Sequence, residues 1–519
     1  MIGILATQVL AQFHPAQKCG LGSSGPALLK SSKILSRDLD FLDESIVSPS
    51  GHFRIHFTRT GTHAVVGSES VGIPEFVQAA AISADSVYSI IVGELGFTPP
   101  PSDGQVDGPE SDIYIKNWNG AYYGMTYFDG YQDLTTFTGY ASYLVVDNDY
   151  VEPNYATSGL EALKVTIAHE FFHMVQLAYA HPGELSWDNL NWYEISSTWM
   201  EEICYPEIDD YHAYVEDNFR QVNFPDINGS SAYSYGHCIF AQILDIEYGS
   251  RNGQHIMLDI WENLHGNNAI ENLDAVLSGS PWNSSLTDAL GQYALYNIFT
   301  GSRALTGQYY PDAADLPEIR LASYDLPLDI SGPPFEFSVR PLQTMYKKFT
   351  VPTLSDFVVK GTNLSSNQRA YLVRVGNGEP PILKGALSNY WIPCEQMYSD
   401  DILILPIANG DKEETRSISI VFEGGIIDLD DTIQALWPNP LLQSQETIHL
   451  NMILSKSGPL VMTIFDIKGR QIFRTLAFND VEGVHEMDIQ LPPNLSSGLY
   501  FLQVRSGATR LNQKFTVVK

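Results

Sequence analysis

The sequence predicts an α+β fold: a mixed helix-and-sheet domain over residues 48–310, then two all-β sandwich modules at 311–430 and 431–519. Three observations predict it. Between Ser48 and Phe299, short alternating runs give way to longer helical ones. From about Tyr310 onward, only short β-type runs remain, separated by Pro, Gly and Asn turns. The charge also shifts: the formal net charge is −32, but residues 431–519 hold eight Lys/Arg and seven Asp/Glu, so residues 1–430 carry −33. With 519 residues, 44% of them apolar, the chain can bury several cores. Such an acidic chain is a poor partner for nucleic acid or an anionic membrane.

Residues 1–12, MIGILATQVLAQ, read as the remnant of a signal peptide, an apolar run ending in small residues but lacking the basic start. Residues 13–47 read as a leader or propeptide. Alternation of Phe53, Ile55 and Phe57 predicts a strand, with His52 and His56 on its surface face. Gly72-Ile73-Pro74 opens a helix running through Ala79–Leu95. Ile113–Ile115 and Tyr140–Val146 predict further strands, so a sheet precedes the central helix. Helices are expected again at Tyr211–Phe219, Tyr233–Tyr248, Gln254–Leu264 and Ser285–Phe299. No apolar run approaches membrane-spanning length, so the mature protein is expected to be soluble outside the inner membrane. Four cysteines, Cys19, Cys204, Cys238 and Cys394, show no CxxC spacing. Cys204 and Cys238 are candidates for a disulfide in an oxidising compartment.

The chemistry concentrates in Val165–Tyr179, VTIAHEFFHMVQLAY, with His169-Glu170-Phe171-Phe172-His173 at its centre. Residues four apart share a helix face, so both imidazoles reach one metal ion and Glu170 lies beside a bound water. This is the HExxH arrangement of the zincins: two His ligands, a Glu general base and a third ligand from elsewhere. An apolar helix otherwise has no use for two His and a Glu, because unpaired buried charge is costly. The bland alternative, histidines that merely pack, fits this helix less well.

The stretch Asn191–Glu202, NWYEISSTWMEE, reads as a second helix, and Glu194 follows His173 after room for one loop. The pattern resembles the gluzincins, whose third ligand is a Glu in an ExxS or ExxA context; here that context is Glu194-Ile195-Ser196-Ser197. The resemblance implies Zn²⁺ on His169, His173 and Glu194. Glu201 is an outer support for the site and Glu202 a solvated residue. In Tyr233-Ser234-Tyr235-Gly236-His237, Tyr233 stands three residues before Gly236, like the catalytic Tyr of one aminopeptidase branch. Tyr233 or His237 is therefore the expected oxyanion stabiliser, with Tyr235 a competitor.

Residues 48–310 also resemble a family of secreted bacterial metallopeptidases, through SPSGHFRIHF (48–57), GIPEFV (72–77), ASYLVVDND (141–149) and the HEFFH with its WYEISSTWMEE partner. Relatives often carry an acidic, calcium-loop-like run before the GIP; here Val66–Val71 offers only Glu69, so Ca²⁺ is not expected there. Asp147-Asn148-Asp149 and Asp209-Asp210 are the remaining Ca²⁺ candidates, though solvated turns explain them as well.

The last module runs through Trp437-Pro438-Asn439-Pro440, the Asp466-Ile467-Lys468-Gly469-Arg470 turn, Ser497-Gly498-Leu499-Tyr500-Phe501 and the terminal Lys519. It resembles the C-terminal sorting domain of type IX (Por) secretion. That implies a seven-strand immunoglobulin-like sandwich, export across the outer membrane of a Gram-negative bacterium, and the secretion machinery as partner. The 311–430 sandwich shows no catalytic constellation. The expectation is thus a secreted zinc metallopeptidase acting on proteins or peptides. Two rivals stand: a non-catalytic adhesin or glycan-binding protein on a decayed peptidase scaffold, and a metal-dependent hydrolase of a non-peptide substrate.

Overall fold

Phe53, Ile55 and Phe57 are all buried, as their alternation requires, on a strand flanked by helices on one face. In this structure, a computed structural model, the described residues are 17–19, 42–102, 107–134, 137–180, 190–229, 233–264, 269–326, 330, 332–351, 355–376, 380–389, 391–399, 401–424, 431–437, 441–442, 447–454, 458–479, 483–492, 495–507 and 509–518. The expected signal remnant, 1–12, and most of 13–47 lie outside them.

The first sheet has six strands: β1 (Gln17–Cys19), β2 (Glu44–Val47), β3 (Phe53–Phe57), β4 (Ser111–Ile115), β5 (Tyr122–Leu134) and β6 (Phe137–Val146). Their spatial order is β1-β5-β6-β4-β3-β2. β3, β4 and β6 run parallel, whereas β5 turns back antiparallel to β6. Parallel strands are normally covered on both faces. One cover is helical. The other is an aromatic layer in which Tyr114, Tyr143, Val145 and Leu42 cluster with Trp118 and Tyr127. This double cover corrects the expectation for His56. It is buried, with Nε2 2.9 Å from Asp112 Oδ1 and its ring stacked on Tyr114, whereas His52 is exposed as expected.

Helix α1 (Glu75–Tyr88) starts after Pro74 and continues as a π-helical turn, Ser89–Glu94. By length and composition this 20-residue stretch could cross a membrane, contrary to the expectation that no run would qualify. It nevertheless packs Phe76, Val77, Ala80, Ala84, Val87 and Ile91 into the core. Helix α2 (Gly159–Ala178) carries the HExxH and lies against β5 and β6. Helix α3 (Leu190–Cys204) packs on α2. There follow α4 (His212–Phe219), α5 (Cys238–Glu247), a small hairpin β7 (Ser250–Arg251) and β8 (Gln254–His255), then α6 (Ile256–Glu262), α7 (Ala269–Ser278) and α8 (Leu286–Tyr296). The disulfide considered for Cys204 and Cys238 is not formed. Both thiols are buried, and burial pushes each up, so they serve as small core residues.

The first compact unit ends at Arg320 and takes back two short returns, Arg340–Thr344 and Asn409–Lys412. This unit thus includes residues 311–320 and two short segments of the stretch read as the first sandwich, 311–430. Leu342 accepts from the Ile227 amide at 3.3 Å, and Gln343 Nε2 donates to the Phe224 carbonyl at 2.9 Å. The second unit holds both sandwiches, each with its own core. In the first sandwich, sheets of four and five strands enclose Val339, Phe349, Phe357, Leu405 and Ile420. In the second, sheets of three and five strands enclose Ile448, Leu450, Ile464, Leu502 and Val517. Among the described residues that makes eight strands, against the seven expected, one of them the two-residue strand Leu441–Leu442. The protein is thus α+β with β-sandwich modules.

Gly124 on β5 marks a close approach of sheet and site helix beside Glu170. A Cβ there would lie 2.7 Å from Thr166 Cγ2 and 2.8 Å from Glu170 Cγ. Gly124→Ala should therefore destabilise the first unit by about 1–3 kcal/mol through overpacking. Denaturant unfolding of the variant checks this; an unchanged midpoint would show that helix and strand separate without cost.

Candidate metal centre

Every residue of α2 from Val165 to Ala178 is buried, including His169, Glu170, His173 and Gln176. These polar groups must therefore find partners within the protein. His169 Nε2 and His173 Nε2 lie 3.1 Å apart. Glu194 Oε2, from the second turn of α3, lies 3.2 Å from the former and 3.5 Å from the latter. The three residues singled out by sequence spacing are thus brought together.

The other side of each ring shows which nitrogen holds the proton. His169 Nδ1 is 2.7 Å from Glu201 Oε1, and a carboxylate only accepts. His173 Nδ1 is 2.7 Å from Gln176 Oε1. The Gln176 amide nitrogen is committed elsewhere, donating to the Tyr193 carbonyl at 3.0 Å and to Ser197 Oγ at 3.0 Å. Both Nδ1 atoms therefore donate, and both Nε2 atoms face each other and the Glu194 carboxylate. Donors at about 2.0 Å from a tetrahedral ion sit roughly 3.3 Å apart. The three observed edges match that spacing, so these residues fit a metal ion. Glu201, read from sequence as an outer support, is the carboxylate behind His169.

Burial would lower the His169 imidazole, but hydrogen bonds to Glu194 and Glu201 hold it up at about 9. Burial would raise Glu194, but the two histidines bring it down to about 2. Burial raises Glu170 above the usual carboxylate range. Its Oε2 accepts from Thr126 Oγ1 at 2.7 Å, and its Oε1 is buried without a hydrogen-bond partner among the described residues. A buried carboxylate beside the ligand set, with one oxygen unspent, suits proton transfer.

Of the residues in the Tyr233–His237 stretch, Tyr235 reaches the centre, its ring centroid 6.1 Å from that of His169. Tyr233 is half-buried, and its carbonyl accepts from Asn218 Nδ2 at 3.0 Å. His237 turns away to Tyr293, with Nδ1 2.9 Å from the phenol oxygen, in an apolar pocket that lowers its imidazole to about 3. Sequence reasoning missed two further residues, Lys18 and Cys19. The Lys18 ammonium is buried between Glu201, at 2.6 Å, and Asp210. Cys19 Sγ lies 3.6 Å from Glu170 Oε2.

The Ca²⁺ candidates fare differently. Asp210 is spent on Lys18, on the Tyr123 hydroxyl at 2.9 Å and on Thr157 Oγ1 at 2.6 Å, so it is not a calcium ligand in a surface turn. Asp147, Asp149 and Glu152 do cluster. Asp147, however, already accepts the amides of Trp118 at 2.6 Å and Tyr150 at 3.0 Å, as a turn-forming Asp does. Asp209, His212 and Asp312 form another, more exposed group.

Comparison with known proteins finds one family: the secretion system C-terminal sorting domain matches residues 435–518. No curated protein matches the sequence. Solved structures give slight likenesses. A β-glucuronidase from Parabacteroides merdae is 10% identical over 34% of this chain and 28% of its own, with a TM-score of 0.14. A Bifidobacterium dentium β-glucuronidase is 10% identical over 33% of this chain and 38% of its own, with a TM-score of 0.13. The C. elegans fusion protein EFF-1 ectodomain is 14% identical over 23% of this chain and 28% of its own, with a TM-score of 0.14. The chain thus spans little more than a third of these proteins at most, and such likenesses carry no argument about fold or function. The sorting domain is a firmer result: it marks the protein for export by type IX secretion to the cell surface or the extracellular space.

The tail has its own core, so its removal should spare the first unit. In a type IX-competent host, the chain truncated after residue 430 should remain in the periplasm while the full chain reaches the surface or medium. Immunoblots of the cell fractions decide it; equal export of both forms would contradict the assignment.

Proposed function

We propose that the protein is a secreted zinc-dependent peptidase of the zincin type, with His169, His173 and Glu194 as ligands and Glu170 as general base. The observation that carries this reading is the convergence of two imidazole lone pairs and a carboxylate at tetrahedral spacing, with Glu201 behind one ring. A set of two nitrogens and one carboxylate oxygen, leaving one position open, is that of catalytic zinc sites. The competing arrangement is a single proton on His169 Nε2 shared between Glu194 and His173. It accounts for the short contacts but leaves the buried Glu170 Oε1 without a role.

A zinc ion held there would polarise the scissile carbonyl and acidify a bound water. Glu170 takes the proton of the attacking water and passes it to the leaving amine. Thr126 fixes the Glu170 oxygen that it touches and leaves the other oxygen for the water. Tyr235, rather than Tyr233 or His237, supplies the hydroxyl that meets the developing oxyanion. Strand β5 favours a peptide over a small-molecule substrate. It passes beside Glu170, and its outer edge accepts an extended strand. An intact base and ligand set count against a decayed scaffold.

Glu194→Ala should lose bound zinc, whereas Glu170→Ala should keep it and lose most hydrolysis. Metal analysis and casein hydrolysis, before and after limited proteolysis, separate the two roles. Zinc lost from Glu170→Ala, or kept in stoichiometric amount by Glu194→Ala, would overturn the assignment. No hydrolysis by any zinc-loaded form would favour a binding protein.

Tyr235→Phe should lower kcat by roughly ten- to a thousandfold with KM little changed, because the contact strengthens in the transition state. Unaltered kinetics would remove Tyr235 from the reaction.

A further inference from the structure

We infer that Cys19 is a fourth, displaceable ligand of the same metal site, and that β1 is a built-in plug that keeps the enzyme latent until it is removed. The inference rests on reading His169, His173 and Glu194 as metal ligands. One donor atom from each of Cys19, His169, His173 and Glu194 lies within 4.8 Å of the others, and all four residues are buried. Sulfur suits zinc as well as imidazole and carboxylate do. Cys19 therefore stands at the position that the attacking water needs.

It meets the rest of the machinery too. Its sulfur is 3.6 Å from Glu170 Oε2, the base. Its amide donates to the Tyr235 hydroxyl at 3.2 Å, and that hydroxyl is also 3.2 Å from the Cys19 carbonyl oxygen. One residue thus occupies the open ligand position, the base and the oxyanion donor together. The three other cysteines are also buried, but none joins a metal-holding group among the described residues.

Two devices hold Cys19 there. β1 pairs in parallel with β5, Gln17 opposite Tyr122 and Cys19 opposite Gly124, so it covers the edge where an extended substrate would add a strand. Lys18 then sinks its ammonium between Glu201 and Asp210. A buried lysine is costly unless paired, so this tether is specific to the closed state. Glu201 is also the carboxylate that steadies His169, so the plug and the ligand shell share one residue. On closure the S–H bond breaks and a sulfur–metal bond forms. One water leaves the metal, and the thiol proton departs through Glu170 to solvent. Opening reverses each step, with no change of oxidation state.

The test uses the full chain loaded with Co²⁺, in wild-type, Cys19→Ala and Lys18→Ala forms. Wild type should show a thiolate-to-cobalt charge-transfer band in the near ultraviolet beside the visible cobalt bands. Cys19→Ala should lose the near-ultraviolet band, keep the visible ones and hydrolyse casein about a hundredfold faster, as expected for release of a latch closed 99:1. Lys18→Ala keeps the sulfur but loses the tether, so its band should weaken and its hydrolysis rise; it also decides the matter if Cys19→Ala folds poorly. Visible bands in all forms, with no near-ultraviolet band in wild type and equal hydrolysis throughout, would overturn the plug and leave the metal site standing. Cobalt lost from folded Cys19→Ala alone would make the thiol a permanent ligand and overturn displacement. Folded protein without visible bands in any form would overturn the metal site itself.

Discussion

Two imidazole nitrogens 3.1 Å apart, deep inside an apolar helix, set the terms for everything around them. Lone pairs that close repel unless a positive charge lies between them, and burial removes the water that would otherwise screen them. The surroundings are arranged to keep those lone pairs pointing inward. Glu201 and Gln176 take the Nδ1 hydrogens, Ser197 and the Tyr193 carbonyl fix the Gln176 amide, and Glu194 adds a carboxylate oxygen at matching distance. Helix α3 does most of this with one face: Glu194, Ser197 and Glu201 follow at helical spacing and meet both histidines of α2.

The sheet serves the same centre from the other side. β5 runs close to α2 because Gly124 carries no side chain, and Thr126, two residues on along the same face, reaches Glu170. Strand β5, Glu170 and the two histidines are thus packed together. A shift in β5 register would move Thr126 and the Glu170 carboxylate it holds relative to His169 and His173. The last module is a sorting domain for export.

Much of this was legible in the chain. HExxH on an apolar helix, and a Glu at the start of the next helix, are local patterns with fixed geometry, and the structure brings His169, His173 and Glu194 together. Glu201 followed from the same helical spacing. The tail was legible because its turns and strand starts are specific. Tyr235 was harder to choose: it lies in a tight 3₁₀ turn, where two residues' displacement carries a side chain to another face, and the register of that turn is set by α4 and α5 packing around it. Lys18 and Cys19 were not legible. A three-residue strand has no alternation to detect, and its partners stand from about 100 to nearly 220 positions away. His56 was misread for a related reason, since only the assembled sheet shows that both faces of β3 are covered.

The central claim is that a zinc ion sits where the three donors converge. Crystals of the full chain grown with zinc, with anomalous diffraction recorded on both sides of the zinc absorption edge, test it most directly. The account predicts one strong peak at about 2.0 Å from His169 Nε2, His173 Nε2 and a Glu194 oxygen. No zinc peak there, with the His169 and His173 nitrogens still about 3 Å apart, would mean that a shared proton holds the cluster together, and would contradict the account.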